Sequence, residues 1–85
     1  MGDRTTEIAR GLVGFINAEI MAPGHAIAPD DALEAAGVDS MALLKVLLFV
    51  EREFGFWVPD EDLVEDNVAT ASTLARYVAR RLAAG

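Results

Sequence analysis

Ile8, Leu12, Ile16 and Ile20 recur at every fourth residue with Phe15 beside them, and this spacing lays one apolar stripe along a helix. Such a stripe needs a surface to pack on, and a chain of 85 residues has room for only one small core to supply it. A hydrophobic content of 53% can fill that core. There is no cysteine, so neither a disulfide nor a thiolate metal site holds the fold together, and the chain has no thiol nucleophile of its own. The spacing predicts a first helix over residues 5–21, with Asp3, Thr5 and Thr6 as candidate caps. Pro23-Gly24 stops it. A long connection through Pro29, Asp30 and Asp31 then leads to Gly37, with Ile27, Leu33 and Val38 available to pin it to the core.

A second helix is expected from Ser40 to about Phe54, with Asp39 or Ser40 as its N-cap and Gly55 placed to close its far end. Leu44, Leu47, Val50 or Glu51, and Phe54 mark the inward face at spacings of three and four. This leaves Leu43, Leu48 and Phe49 on the flanks. Phe56-Trp57-Val58-Pro59 reads as a short aromatic link. Asp60-Glu61-Asp62-Leu63-Val64 can start a short third helix, because acids favour a first turn. A last helix begins after Thr70 or Ser72 and turns Leu74, Tyr77 or Val78, and Leu82 inward. The expected fold is all-α: one domain over residues 1–85, a small up-down bundle of four helices, three long and one short.

Fourteen acidic against seven basic residues give a net charge of −7, which opposes binding to nucleic acid or anionic membranes. The imbalance is concentrated in residues 30–66, where eleven acids meet only Lys45 and Arg52. Such a field can steer a partner with a positive surface toward the middle of the chain, or simply keep the surface solvated. Met1-Gly2-Asp3-Arg4 shows no targeting pattern. No apolar run approaches the roughly 20 residues that cross a bilayer, so a soluble cytoplasmic protein is expected. The single histidine, His25, reads as a solvated loop residue, too isolated for a histidine metal cluster.

Gly37-Val38-Asp39-Ser40-Met41 places one hydroxyl at the mouth of the second helix. A catalytic serine needs a general base and an oxyanion site, and only His25 could be the base. The Gly-x-Ser-x-Gly elbow of serine hydrolases is absent as well. Taken alone, Asp39-Ser40 would be a helix cap. The longer stretch Asp30-Asp31-Ala32-Leu33-Glu34-Ala35-Ala36-Gly37-Val38-Asp39-Ser40-Met41 resembles the attachment signature of the acyl, aminoacyl and peptidyl carrier proteins. The resemblance continues through Phe49-Val50-Glu51-Arg52-Glu53-Phe54-Gly55, Val58-Pro59-Asp60-Glu61-Asp62-Leu63 and Asp66-Asn67-Val68-Ala69-Thr70-Ala71-Ser72-Thr73-Leu74, in order and in spacing.

The resemblance implies that Ser40 carries a covalent 4′-phosphopantetheine arm. A phosphopantetheinyl transferase would transfer it from coenzyme A, and its terminal thiol would hold cargo as a thioester. It implies a non-catalytic carrier, with Asp39 helping to present Ser40 to the transferase. Fatty-acid carriers usually have acids early in the second helix, where this chain has Ala42 and Lys45. Asp-Ser-Met before a leucine-rich helix looks more like stand-alone carriers charged with an amino acid by a separate ligase. Expected partners are therefore the transferase, an amino-acid- or acyl-activating ligase and a downstream acceptor enzyme, acting on a monomer. Met41, Leu43, Leu48, Phe49 and Trp57 are the candidate docking residues, against an alternative role in core packing. An acyl or polyketide carrier remains open. So does an unmodified helical adaptor that binds through the second helix.

Overall fold

The computed structural model describes residues 3–84. The opening Met1-Gly2 and the side chain of Asp3 lie outside the described residues. α1 spans Asp3–Glu19, α2 Ser40–Phe54, α3 Glu65–Val68 and α4 Ala71–Ala84, with a 3₁₀ turn at Asp60–Asp62. Three long helices and one short one pack as an all-helical bundle, and the described residues contain no strand.

The fourfold stripe of α1 is the axis of the core. Ile8, Leu12 and Ile16 are buried, as are Leu74, Ala75, Tyr77 and Val78 of α4, the helix α1 packs against most extensively. Full burial of a leucine or isoleucine side chain contributes about 1.5–3 kcal/mol, so each of Leu12, Ile16 and Leu74 in this row adds a contribution of that order. Thr5 and Thr6 lie inside α1, two and three positions past its start, so neither is its cap.

α2 corrects the face read from the sequence. Its buried residues are Val46, Leu47 and Val50, with Leu43 and Phe54 half-buried. Leu44 and Glu51 face outward, Leu44 being 42% exposed while Val46 is fully enclosed. A leucine-rich helix carries two overlapping stripes, 43-46-47-50-54 and 44-47-48, and spacing alone does not say which one meets α1 and α4. Gly55, in the left-handed region at φ 84°, closes α2 by donating its N–H to Glu51 at 2.9 Å.

The long connection is tied down by backbone hydrogen bonds and one side chain. His25 N–H donates to the Ala22 carbonyl at 3.0 Å across Pro23-Gly24. The Asn17 amide of α1 then holds both backbone groups of Ile27: its oxygen accepts from Ile27 N–H at 2.8 Å and its NH₂ donates to Ile27 C=O at 3.2 Å. Ser72 N–H donates to the Pro29 carbonyl at 3.0 Å and Leu33 N–H to the Ala69 carbonyl at 2.9 Å, so the connection lies along the start of α4.

The helix expected at Asp60 is a single 3₁₀ turn. The chain runs extended through Val64 before α3 starts at Glu65. Of the two candidate caps for α4, Thr70 is the one used. Its hydroxyl accepts from Thr73 N–H at 3.0 Å, while the Thr73 hydroxyl accepts from Thr70 N–H at 3.0 Å, a reciprocal capping box. Tyr77 of α4 donates its hydroxyl proton to Asp62 at 2.6 Å and accepts from Arg81 at 2.8 Å, and Arg81 lies 4.4 Å from the centroid of Phe56. This cluster fastens the segment after α2 to the last helix.

Candidate functional site

Each residue of Gly37-Val38-Asp39-Ser40-Met41 has a separate physical task. The turn over residues 32–36 ends in a Schellman pattern: Gly37 N–H donates to the Glu34 carbonyl at 3.1 Å and Val38 N–H to the Leu33 carbonyl at 3.0 Å. Gly37 sits at φ 100°, a conformation that L side chains rarely adopt, although a Cβ there would meet no atom within 4 Å. Val38 and Leu33, the two residues this motif brings together, are both buried. The turn thus anchors one side of the signature in the core and aims the next two residues outward.

Asp39 is the N-cap of α2. Its backbone is extended at φ −85° and ψ −173°, and its Oδ1 accepts from Ala42 N–H at 2.9 Å. The second carboxylate oxygen takes no hydrogen bond from the described residues. Ser40 is the first residue of the helix and is exposed. The N–H groups of Ser40 and Met41 have no carbonyl one turn earlier to bind, because a helix leaves its first donors free. Those donors and the positive end of the helix dipole favour an anion at the Ser40 hydroxyl.

Ser40 and Asp39 border a groove shared with Val38, Leu43, Val68 and the carboxylate-bearing Glu34 and Glu65. His25 is exposed and lines a different groove, with Ile20, Met21 and Asp31, that does not include Ser40. The structure therefore does not bring the one histidine to the one signature serine.

The candidate docking residues fall into two groups. Met41, Leu48 and Trp57 are 68%, 50% and 42% exposed. Leu43 and Phe49 are half-buried. Phe49 stacks on Phe15 of α1 with ring centroids 4.6 Å apart and takes Phe54 edge-on at 6.5 Å, forming a seam between α1 and α2. Two further apolar side chains are exposed as well: Leu44, which spacing alone places on the inward face, and Val64. For Leu44 the signal was its spacing of three from Met41 and four from Leu48, which continues a stripe that begins beside Ser40.

Comparison with known proteins gives a consistent picture. A family model described as phosphopantetheine attachment site matches residues 10–78, most of the chain. Aminoacyl carrier protein 1 of Bradyrhizobium diazoefficiens is 32% identical over 56 residues, which are 66% of this chain and 62% of that protein. The mitochondrial acyl carrier protein of Dictyostelium discoideum is 26% identical over 72 residues, 85% of this chain and 58% of that protein. The chain thus spans about three fifths of the length of these curated relatives. Among solved structures, a chain from the crystal structure of a Bradyrhizobium japonicum glycine:[carrier protein] ligase complexed with glycylated carrier protein superposes with a TM-score of 0.65 at 27% identity. The match covers 87% of this chain and 97% of that one.

Proposed function

Because the chain belongs to the phosphopantetheine-attachment family, whose members bear covalent 4′-phosphopantetheine, we propose that Ser40 is the attachment residue and that the modified protein carries an amino acid to partner enzymes. The observation that carries this reading is the placement of Ser40: exposed, first in α2, directly after a capping aspartate and a buried valine. Once attached, the group supplies the terminal thiol on which cargo is held as a thioester. The chain's own part is to hold the phosphodiester and present it. The free N–H groups at the start of α2 offset its charge, and the Val38 and Leu33 anchors fix its position on the fold.

Asp39 has two tasks in this account. One oxygen caps α2, and the other is free to meet the transferase and its metal. The transferase would take the arm from coenzyme A, and a separate ligase would then charge the thiol. Met41, Leu48 and Trp57 are the exposed docking residues. Leu43 borders the groove at Ser40, and Phe49 supports the face from the α1–α2 seam.

An amino acid is favoured as cargo by the similarity to an aminoacyl carrier and to a carrier found glycylated beside its ligase. The similarity to an acyl carrier keeps acyl cargo as the second reading. The deciding experiment offers the modified protein to amino-acid-activating ligases and to acyl-activating enzymes in parallel, with intact mass as the readout. Mass gain with an amino acid supports the proposal, whereas mass gain with acyl groups alone overturns it.

A further inference from the structure

Residues 59–70 lie between Val58 and Ala71, both fully enclosed, yet none of them is buried; Leu63 and Val68 rest half-buried on the core. The segment holds the 3₁₀ turn and α3, which packs on α4 and makes no extensive contact with α1 or α2. What fastens it is polar. The Tyr77 hydroxyl donates to Asp62 at 2.6 Å and accepts from Arg81 at 2.8 Å, while the Asn67 side chain donates to the Asp62 carbonyl at 2.9 Å and accepts from Arg80 at 3.3 Å. A segment that buries no side chain and is held by part-exposed hydrogen bonds opens at a smaller free energy than the core.

The same segment is one wall of the groove at Ser40, to which it contributes Glu65, Val68 and Ala69. A single backbone bond ties this wall to the turn before Gly37: Leu33 N–H donates to the Ala69 carbonyl at 2.9 Å. Tyr77, Arg80 and Arg81 do not line the groove and act on it only through the segment they hold. We infer that residues 59–70 form a strap that opens as a unit while the three long helices stay folded, and that Tyr77 is the positioning residue that latches it from α4 and so sets the width of the groove beside Ser40. With the Asp62 carboxylate released, the 3₁₀ turn loses its tie to α4 and α3 is left on its half-buried contacts and the Asn67 bonds. The bearing of that width on the arm rests on the reading of Ser40 given above; the strap itself does not.

Amide hydrogen exchange of the unmodified full chain, followed residue by residue by NMR, tests the strap independently of any modification at Ser40. The amides of Asp62, Leu63, Asn67, Val68 and Ala69 are each bonded within the strap. After correction for intrinsic rates they are expected to exchange at least about tenfold faster than those of Leu12 and Val78 in the core, and with a weaker dependence on urea, because a local opening exposes little surface. The Leu33 amide is expected to join this class, since its acceptor is Ala69. Tyr77→Phe keeps the ring and removes the hydroxyl. It is expected to speed exchange of Leu33 and of the strap amides about fivefold, the worth of one hydrogen bond, with the urea dependence still weak. Asn67→Ala, which cuts the second tie, is expected to act on the same amides. Strap amides that exchange at the core rate in the wild type overturn the inference, as does a Leu33 amide that ignores Tyr77→Phe. A Leu33 response with the steep urea dependence of Leu12 also overturns it, because Tyr77 would then act only on the stability of the whole fold.

Discussion

At the scale of single residues, the signature divides its work between fold and chemistry, and the two can be separated by substitution. Asp39→Ala is expected to cost about 1 kcal/mol of stability through the lost cap, read from urea unfolding. Asp39→Asn keeps an acceptor for Ala42 N–H and is expected to retain that stability while slowing modification of Ser40. Equal modification rates in Asn and wild type would remove the role with the transferase. Gly37→Ala is expected to cost about 1–2 kcal/mol, since the left-handed backbone at φ 100° strains any Cβ even where space is open. Unchanged unfolding midpoints in both Asp39→Ala and Gly37→Ala would contradict this account of the loop. The Asp-Ser cap and the exposed serine were legible in the sequence because capping is a local property. The bond from Asn17 to Ile27 spans ten residues, and the sequence offered no local pattern to suggest it.

At the scale of elements, α1 and α2 show what periodicity can and cannot resolve. The stripe of α1 has a single apolar phase: Ile8, Leu12 and Ile16 are buried as the spacing predicts, while the helix ends at Glu19, short of the expected residue 21, and leaves Ile20 half-buried beyond it. That of α2 has two, and its packing partners choose Val46 over Leu44. The same distinction separates Leu48 from Phe49. Leu48→Glu is expected to leave the unfolding midpoint nearly unchanged and to impair charging by the ligase. Phe49→Glu is expected to lower stability as well, because it breaks the stack on Phe15. Equal stability losses in the two variants would contradict the seam. α1 also carries a reserve of stability in Gly14, which lies in the helix interior where an added Cβ meets nothing within 4 Å. Gly14→Ala is expected to stabilise the fold by about 0.5–1 kcal/mol, a Tm rise of several degrees by calorimetry.

At the scale of the whole molecule, the bundle closes through contacts between segments far apart in sequence, and these were the least legible. Tyr77 was read only as one of two inward residues, yet its hydroxyl joins the 3₁₀ turn at Asp62 to Arg81 at the end of α4. Burial, and then the hydrogen bond to Asp62, raise the Tyr77 pKa above its ordinary value of 10.0. The unfolded chain therefore releases this proton first. The contribution of the cluster is complete below pH 10 and declines as pH rises from there through the folded-state value. Tyr77 is the one tyrosine in the chain, so its ionisation can be followed directly by tyrosinate absorbance. Tyr77→Phe is expected to remove this part of the alkaline loss of stability. Apolar periodicity, caps and breakers made the four-helix architecture legible even where individual contacts were not. The charge imbalance was legible in the sequence as a block, because the eleven acids of residues 30–66 meet only Lys45 and Arg52 there. The central claim, that this fold exists to present Ser40 for modification, is tested most directly by intact mass after incubation with coenzyme A, magnesium and a broad-specificity phosphopantetheinyl transferase. Wild type is expected to gain a single phosphopantetheine and Ser40→Ala none, with both helical by circular dichroism. A wild type that stays unmodified while fully folded, with a second transferase also tried, would contradict the claim and leave Asp39-Ser40 as a helix cap on an adaptor.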